Sequence, residues 1–212
     1  DALATALSLR TSVSKRVDMH TGRVDCVDMS DGEGLAGQSP VCLTEKILTH
    51  TLSPKHRLLI VGIGDIAEYL ASFAEAAEFD VTICDPREDF IERYEGVKKQ
   101  YSVERCLPDD LVNERFSDQY CAVVALAHDP RVDDLALMAA LDSDAFYVGA
   151  MGSQLTTQNR IARLQEIGIS DKLLAKLHAP IGIPIHSKTP PEIAVSVLAQ
   201  IIASRGGIAE AR

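Results

Sequence analysis

No apolar run in these 212 residues approaches the roughly 18 that cross a bilayer. Residues 2–9 lack both the basic lead and the cleavage site of a secretion signal. Positive charge is the next shortage: Lys and Arg number 21 against 31 Asp and Glu, for a formal net charge of −10. That balance opposes nucleic acid and anionic membranes as partners, since both are polyanions. Cys26, Cys42, Cys84, Cys106 and Cys121 are an odd set without a CxxC pair, so neither a disulfide framework nor a zinc knuckle is indicated, and no metal site is expected. Cys84 and Cys121 lie inside strand-like runs and read as buried spectators. Together these point to a reducing, cytoplasmic setting. Repeats and low-complexity tracts are missing too. What remains is 46% apolar and 25% charged residues, ordinary for a globular chain long enough for one sizeable core.

The pattern divides near Ser53 and Pro54. Before that point come short polar-alternating pieces, 14–19 and 23–29 around Thr21 and Gly22, which read as a weak hairpin followed by a glycine-rich stretch at 31–37. Residues 1–54 hold too few apolar side chains to fold alone, and the first residue is Asp1 rather than methionine. They read as the remnant of a smaller or truncated domain. Residues 55–212 alternate apolar strands with helical stretches, the signature of an α/β fold: a three-layer Rossmann-like parallel sheet with helices on both faces. Strands are expected at 57–61, 80–84, 121–127 and 145–148. Helices are expected at 66–78, with Ala67, Leu70, Ala71, Ala74 and Ala77 on one face, at 130–141, and at 153–168 with an apolar stripe of Ile161, Leu164 and Ile167. A last helix starts at the capping box Thr189-Pro190-Pro191-Glu192 and stops at Gly206-Gly207. Its apolar part, 192–202, suits either the core or a homodimer.

Gly62-Ile63-Gly64-Asp65-Ile66-Ala67 fits G-x-G-x-x-G/A between a strand and a helix, the context that gives this pattern meaning. Gly62 allows the tight turn, Gly64 has no side chain to block a pyrophosphate, and Ala67 lets the helix lie close on the sheet. The helix end then offers unpaired amides to an anion. Asp65 beside it repels phosphate unless it turns away or binds a sugar or metal. The alternative is a glycine turn that only packs. Asp85 ends the second strand, where a carboxylate accepts from ribose hydroxyls and disfavours a 2′-phosphate; Arg87 can reverse that preference. The bland reading is a strand-ending turn with a local charge pair. His128 and Asp129 follow a strand expected beside the first, facing the glycine loop across the topological switch point. A histidine next to a carboxylate transfers protons near neutral pH or ligates a metal, and Asp133 lies one helical turn beyond. Helix capping by Asp129 before Pro130 accounts for it equally well. A second loop, Gly149-Ala150-Met151-Gly152-Ser153, again leads into a helix, so Gly152 and Ser153 make another anion-receptive end. Arg160 and Arg163 further along read as exposed, solvated charges. Residues 178–186, rich in proline and glycine yet apolar, are expected to pack on the crevice or on a partner.

The strings 58–67, 81–87, 128–137, 147–153, 178–182 and 189–199, in this order and spacing, resemble the Rossmann domain of the XdhC/CoxI family, the xanthine dehydrogenase accessory factors. Asp65 stands where that family's first loop usually has histidine, and Pro130 where a histidine commonly follows the His128-Asp129 pair; its N-terminal cysteine-glycine segment is not recognisable in residues 1–54. The resemblance implies a maturation factor that binds molybdenum cofactor (molybdopterin) and delivers it to a molybdenum hydroxylase client of the xanthine dehydrogenase type. On that expectation Gly64 and Gly152 hold phosphate, Asp85 a ribose, and His128 with Asp129 the reactive end. Two other readings stay open. One is an NAD(P)-dependent oxidoreductase with His128 as proton donor, against which stands the lack of a substrate domain after the sheet. The other is a nonenzymatic nucleotide-binding module.

Overall fold

A computed structural model describes residues 2–28, 41–97 and 103–205. The glycine-rich stretch at 31–37 and the stop at Gly206-Gly207 lie outside the described residues. The chain divides into two compact units, one ending at Lys55 and the other spanning His56–Arg205.

The first unit holds α1 (Ala2–Ser8), β1 (Val13–Asp18), β2 (Val24–Asp28), β3 (Val41–Leu43) and β4 (Ile47–Leu52). The expected hairpin is there: β1 and β2 pair antiparallel, with Val17 opposite Val24. Asp18 turns the chain by accepting from the amides of His20 and Thr21 at 2.9 and 2.8 Å, a side-chain substitute for a backbone turn. The hairpin is half of a four-stranded sheet, ordered β2-β1-β4-β3. Pattern reading missed β3 because Val41, Cys42 and Leu43 are all exposed, so no alternation marks them. Among the described residues few apolar groups are inside; hydroxyls meet there instead, Ser12 with Ser53 at 2.8 Å and Ser14 with Thr51 at 3.4 Å.

The second unit runs β5 (Arg57–Val61), α2 (Asp65–Ala76), β6 (Asp80–Cys84), α3 (Glu88–Val97), β7 (Val103–Glu104), α4 (Pro108–Arg115), β8 (Cys121–Ala125), α5 (Pro130–Leu141), β9 (Tyr147–Ala150), α6 (Gln154–Glu166), α7 (Asp171–Leu174), β10 (Leu177–His178) and α8 (Pro190–Arg205). Its six strands are ordered β10-β9-β8-β5-β6-β7 and every pair is parallel. Alternation along β5 builds the layers. Leu58 and Ile60 join Leu70, Ala71, Ala74, Ala194, Val197 and Ile201 from α2 and α8. Leu59 and Val61 join Leu111, Val112, Ala136, Leu137 and Leu164 from α4, α5 and α6. This is the Rossmann-like α/β arrangement with helices on both faces. No helix among the described residues is long and apolar enough to cross a membrane.

Three local expectations need correction. The fourth strand is displaced, at Tyr147–Ala150 rather than 145–148, because Ala150 pairs with Ala125 and carries the ladder into the glycine loop. In α6 the buried face is Thr157, Arg160 and Leu164, while Ile167 is 54% exposed. Arg160 is therefore not a solvated charge: it is 2% exposed, drawn inward by the Asp133 carboxylate and the Met151 carbonyl. Residues 178–186 pack on β9 and α8, through Ile181 N–H to Ala150 O and Ser196 Oγ to Ile183 O. The last helix starts as expected, with the Glu192 carboxylate accepting from the amides of Lys188 and Thr189, both at 2.9 Å.

Candidate functional site

The strand order reverses between β5 and β8: β6 and β7 extend from one side, β9 and β10 from the other. Ligands of open α/β sheets bind in the crevice at such a point, beyond the carboxyl ends of the strands. The glycine loop, the end of β6, the end of β8 and the loop after β9 all reach that edge.

The two glycines of the first loop do different work. Gly62 has φ +102°, and a Cβ there would overlap the backbone N and Cα of Ala127. It is the residue that lets the β5 and β8 ends touch. Gly64 precedes α2 in extended backbone and makes no side-chain cap; a Cβ there would meet nothing within 4 Å. Beside the amides that a helix cannot satisfy from its own first turn, that leaves room for a ligand. Asp65 is exposed at the first position of α2, so its charge stands at the same end.

Asp85 is fully buried. Its Oδ2 accepts from the Ile63 amide at 3.0 Å and from Arg87 Nη2 at 2.7 Å; its Oδ1 accepts from the Arg87 amide and Nε at 3.0 and 2.9 Å. The carboxylate thus clamps the glycine loop from below and presents no oxygen surface to a sugar. Arg87 spends its remaining reach on the Ala127 carbonyl, 3.0 Å from Nη1, and lies over the Phe90 ring. The Asp85 carboxylate raises the pKa of this guanidinium. Both residues are therefore committed to each other and to the loops.

Ala127 is the meeting point. Its Cα abuts Gly62, its carbonyl holds Arg87, and its amide donates to Asp133 Oδ1 at 3.0 Å. Asp133 is fully buried, with Arg160 Nη2 3.1 Å from its Oδ2. Burial pushes its carboxyl above the ordinary value, with the Arg160 charge opposing. Arg160 also donates to Met151 O at 3.0 Å, which ties the second glycine loop to the β8 end. Sequence reasoning placed Asp133 only as a neighbour of Asp129 and missed this pair; two opposite charges on helices that both line the sheet edge are the signal available for it.

His128 is exposed three residues past the end of β8 in left-handed backbone, φ 57°. Asp129 caps α5, accepting from the Arg131 amide at 3.0 Å, and also receives Arg131 Nε and Nη2 at 3.1 and 2.8 Å. The Arg131 hydrogen bonds hold its carboxyl down to about 2. Such a lowered group adds stability that is present above its unfolded value of 3.8 and lost as pH falls through 2. The contribution is small because the pair is open to water. In Arg131→Ala, carboxyl NMR titration should show Asp129 moving back up; α5 should persist, because the cap to the backbone amide remains. At the second loop Ser153 Oγ caps α6 through the Thr156 amide at 3.1 Å, next to Gly152. Both stand on the same sheet edge as Gly64.

Residues 58–201 match the XdhC Rossmann domain. Among curated proteins, the chain is 28% identical over 167 residues to a Bacillus subtilis protein named as a probable component of xanthine dehydrogenase, covering 78% of this chain and 48% of that one. It is 35% identical over 88 residues to the molybdenum cofactor insertion chaperone PaoD of Escherichia coli, covering 42% and 28%. The uncharacterized protein YqeB of Escherichia coli is 28% identical over 167 residues, covering 74% and 28%. The chain thus spans less than half the length of these relatives. A crystal structure described as a xanthine dehydrogenase from Bacillus halodurans superposes with a TM-score of 0.70 over 96% of this chain and 65% of that one, at 24% identity, a likeness that shows the fold. With a match that runs from the first strand of the parallel sheet to the last helix, the chain belongs to the XdhC family through its Rossmann domain.

Proposed function

We propose that this domain binds molybdenum cofactor in the crevice between β5 and β8 and serves its insertion into a molybdenum hydroxylase client of the xanthine dehydrogenase type. The observation that carries the reading is the family match over 58–201, supported by the similarity to a molybdenum cofactor insertion chaperone. The cargo suits the residues. Molybdopterin carries a phosphate, and its common bacterial form carries a nucleotide through a pyrophosphate. The open space at Gly64 and the start of α2 give such an anion a place, with the Gly152-Ser153 end of α6 available to a second group. Asp85 acts indirectly, by fixing the Ile63 amide and Arg87. The exposed imidazole of His128 stands at this edge for contact with bound cargo, while Asp129 orders the start of α5. An NAD-dependent oxidoreductase would use a reachable carboxylate at the end of β6 for the ribose, and Asp85 offers none; Arg87, which would hold the 2′-phosphate of NADP, is spent on Asp85 and the Ala127 carbonyl.

The test is the small-molecule content of protein purified anaerobically from a host that makes molybdopterin, with oxidised pterin fluorescence and nicotinamide quantified in one chromatogram. Stoichiometric pterin is expected, lost in Gly64→Leu with the melting temperature little changed. Nicotinamide without pterin overturns the proposal.

A further inference from the structure

Two of the five cysteines are neighbours in space. Cys84 is the last residue of β6 and is fully buried; Cys106 follows β7 by two residues, in the connection to α4, and is partly exposed. The parallel pairing that sets Cys84 against Glu104 brings the two sulfurs to 4.0 Å, and the Cys84 thiol donates to the Cys106 carbonyl at 3.3 Å. We propose that Cys84 and Cys106 form a redox-active dithiol, a modification site that closes to an intramolecular disulfide. This stands apart from the cargo reading and does not depend on it.

A disulfide needs its sulfurs about 2.05 Å apart, so the pair must close by roughly 2 Å. Cys106 lies outside regular structure and can supply that movement, whereas Cys84 is held in the ladder. Burial beside Cys106 pushes the Cys84 thiol pKa up and keeps it protonated, so Cys106 is the group that meets an oxidant. With a hydroperoxide, the Cys106 sulfur attacks the peroxide oxygen, giving a sulfenic acid and releasing water or an alcohol. The Cys84 sulfur then attacks the sulfenic sulfur; its thiol proton leaves with the hydroxyl as water, and the sulfur–sulfur bond forms. Two thiols are oxidised by two electrons and one peroxide is reduced. The other cysteines lie in different settings: Cys26 and Cys42 are exposed in the first unit, and Cys121 points its sulfur at Asp118 Oδ1, 3.3 Å away.

The site sits under the glycine loop. The Cys84 carbonyl accepts from the Gly62 amide at 2.8 Å, and the next residue is the Asp85 that holds Ile63. A bond to Cys106 would therefore tether this strand end to the connection before α4.

The experiment uses the full chain with Cys26→Ser and Cys42→Ser, which removes the exposed thiols. After hydrogen peroxide at slight excess, the three remaining thiols should fall to one, and peptide mapping should find Cys84 joined to Cys106, reversibly with dithiothreitol. The reduced protein should also retain one equivalent of phenylarsine oxide, a probe of close thiol pairs, and Cys106→Ser should abolish both results while keeping the melting curve. Accumulation of sulfinic acid at Cys106 with Cys84 still alkylatable after denaturation, or no retention of the arsenical, overturns the proposal.

Discussion

Gly62→Ala should destabilise the parallel-sheet unit by about 3 kcal/mol or more, whereas Gly64→Ala, two residues away, should stay within about 1 kcal/mol of the parent. At Gly62 two costs combine: a non-glycine residue at φ +102°, and a methyl group driven into the backbone of Ala127. The neighbour that would have to yield is main chain, pinned by Arg87 and Asp133, so it does not give cheaply. At Gly64 the backbone is extended and the space is open. In thermal unfolding the first variant should lose roughly 6–12 °C and the second very little. On the proposed cargo reading, pterin retention should show the opposite order per folded molecule when Gly64 is enlarged to leucine. Equal destabilisation by the two alanines would mean that the loop is not held as described.

Arg160→Met should cost about 3–5 kcal/mol at neutral pH, the usual penalty for leaving one member of a buried ion pair without its partner. Its pH dependence identifies the cause. The Asp133 carboxyl already sits above its ordinary 3.8 because of burial, with Arg160 as the main opposing influence; without the arginine it rises further. A raised folded-state pKa gives stability that is complete below the unfolded value and lost as pH rises through the folded one. The variant should therefore come closest to the parent near the ordinary carboxyl value of 3.8 and fall furthest behind at neutral pH, as urea titrations across that range would show. Adding Asp133→Asn should flatten the dependence, since the amide oxygen can still accept from the Ala127 amide. A loss equal at every pH would point to lost packing instead.

The elements with strong period or punctuation were legible. Pro130–Leu141 matches its expected bounds, and β5 and β6 match theirs, because a proline after a capping aspartate and runs of buried aliphatics leave little ambiguity. The strands β7 and β10 have two residues each, too short for any pattern. Of the four helices that went unread, α1 and α7 are short, with 7 and 4 residues, and the other two were missed for a different reason. Helix α4 buries only Pro108, Leu111 and Val112 and shows no clear stripe, while α3 opens with Glu88 and Asp89 beside exposed Phe90, and among its described side chains Ile91 alone is buried. In the site, glycines were legible because their lack of a side chain is itself the signal. Charges were legible in part: a local pair between Asp85 and Arg87 was one reading of that turn, whereas Arg160 has the character of a surface residue, and only the meeting of α5 and α6 at one edge reveals that it is sealed against Asp133. The same limit applies to Cys84 and Cys106, whose proximity depends on a strand pairing invisible in either segment.

The packing of α8 has a consequence for how the chain comes to be folded. Ala194, Val197 and Ile201 cover the same core that α2 builds with Leu70, Ala71 and Ala74, and Gln200 Oε1 receives both the Tyr147 hydroxyl and the Gly182 amide at 2.6 Å. The first strand and helix of the sheet thus depend on residues synthesised more than a hundred positions later. Such closure is entropically costly and slow. While the ribosome is still working through the middle of the sequence, the nascent glycine loop has an apolar flank with no cover. That interval is when the chain is most exposed to aggregation, and it ends only when Gln200 has left the exit tunnel and can take its two donors.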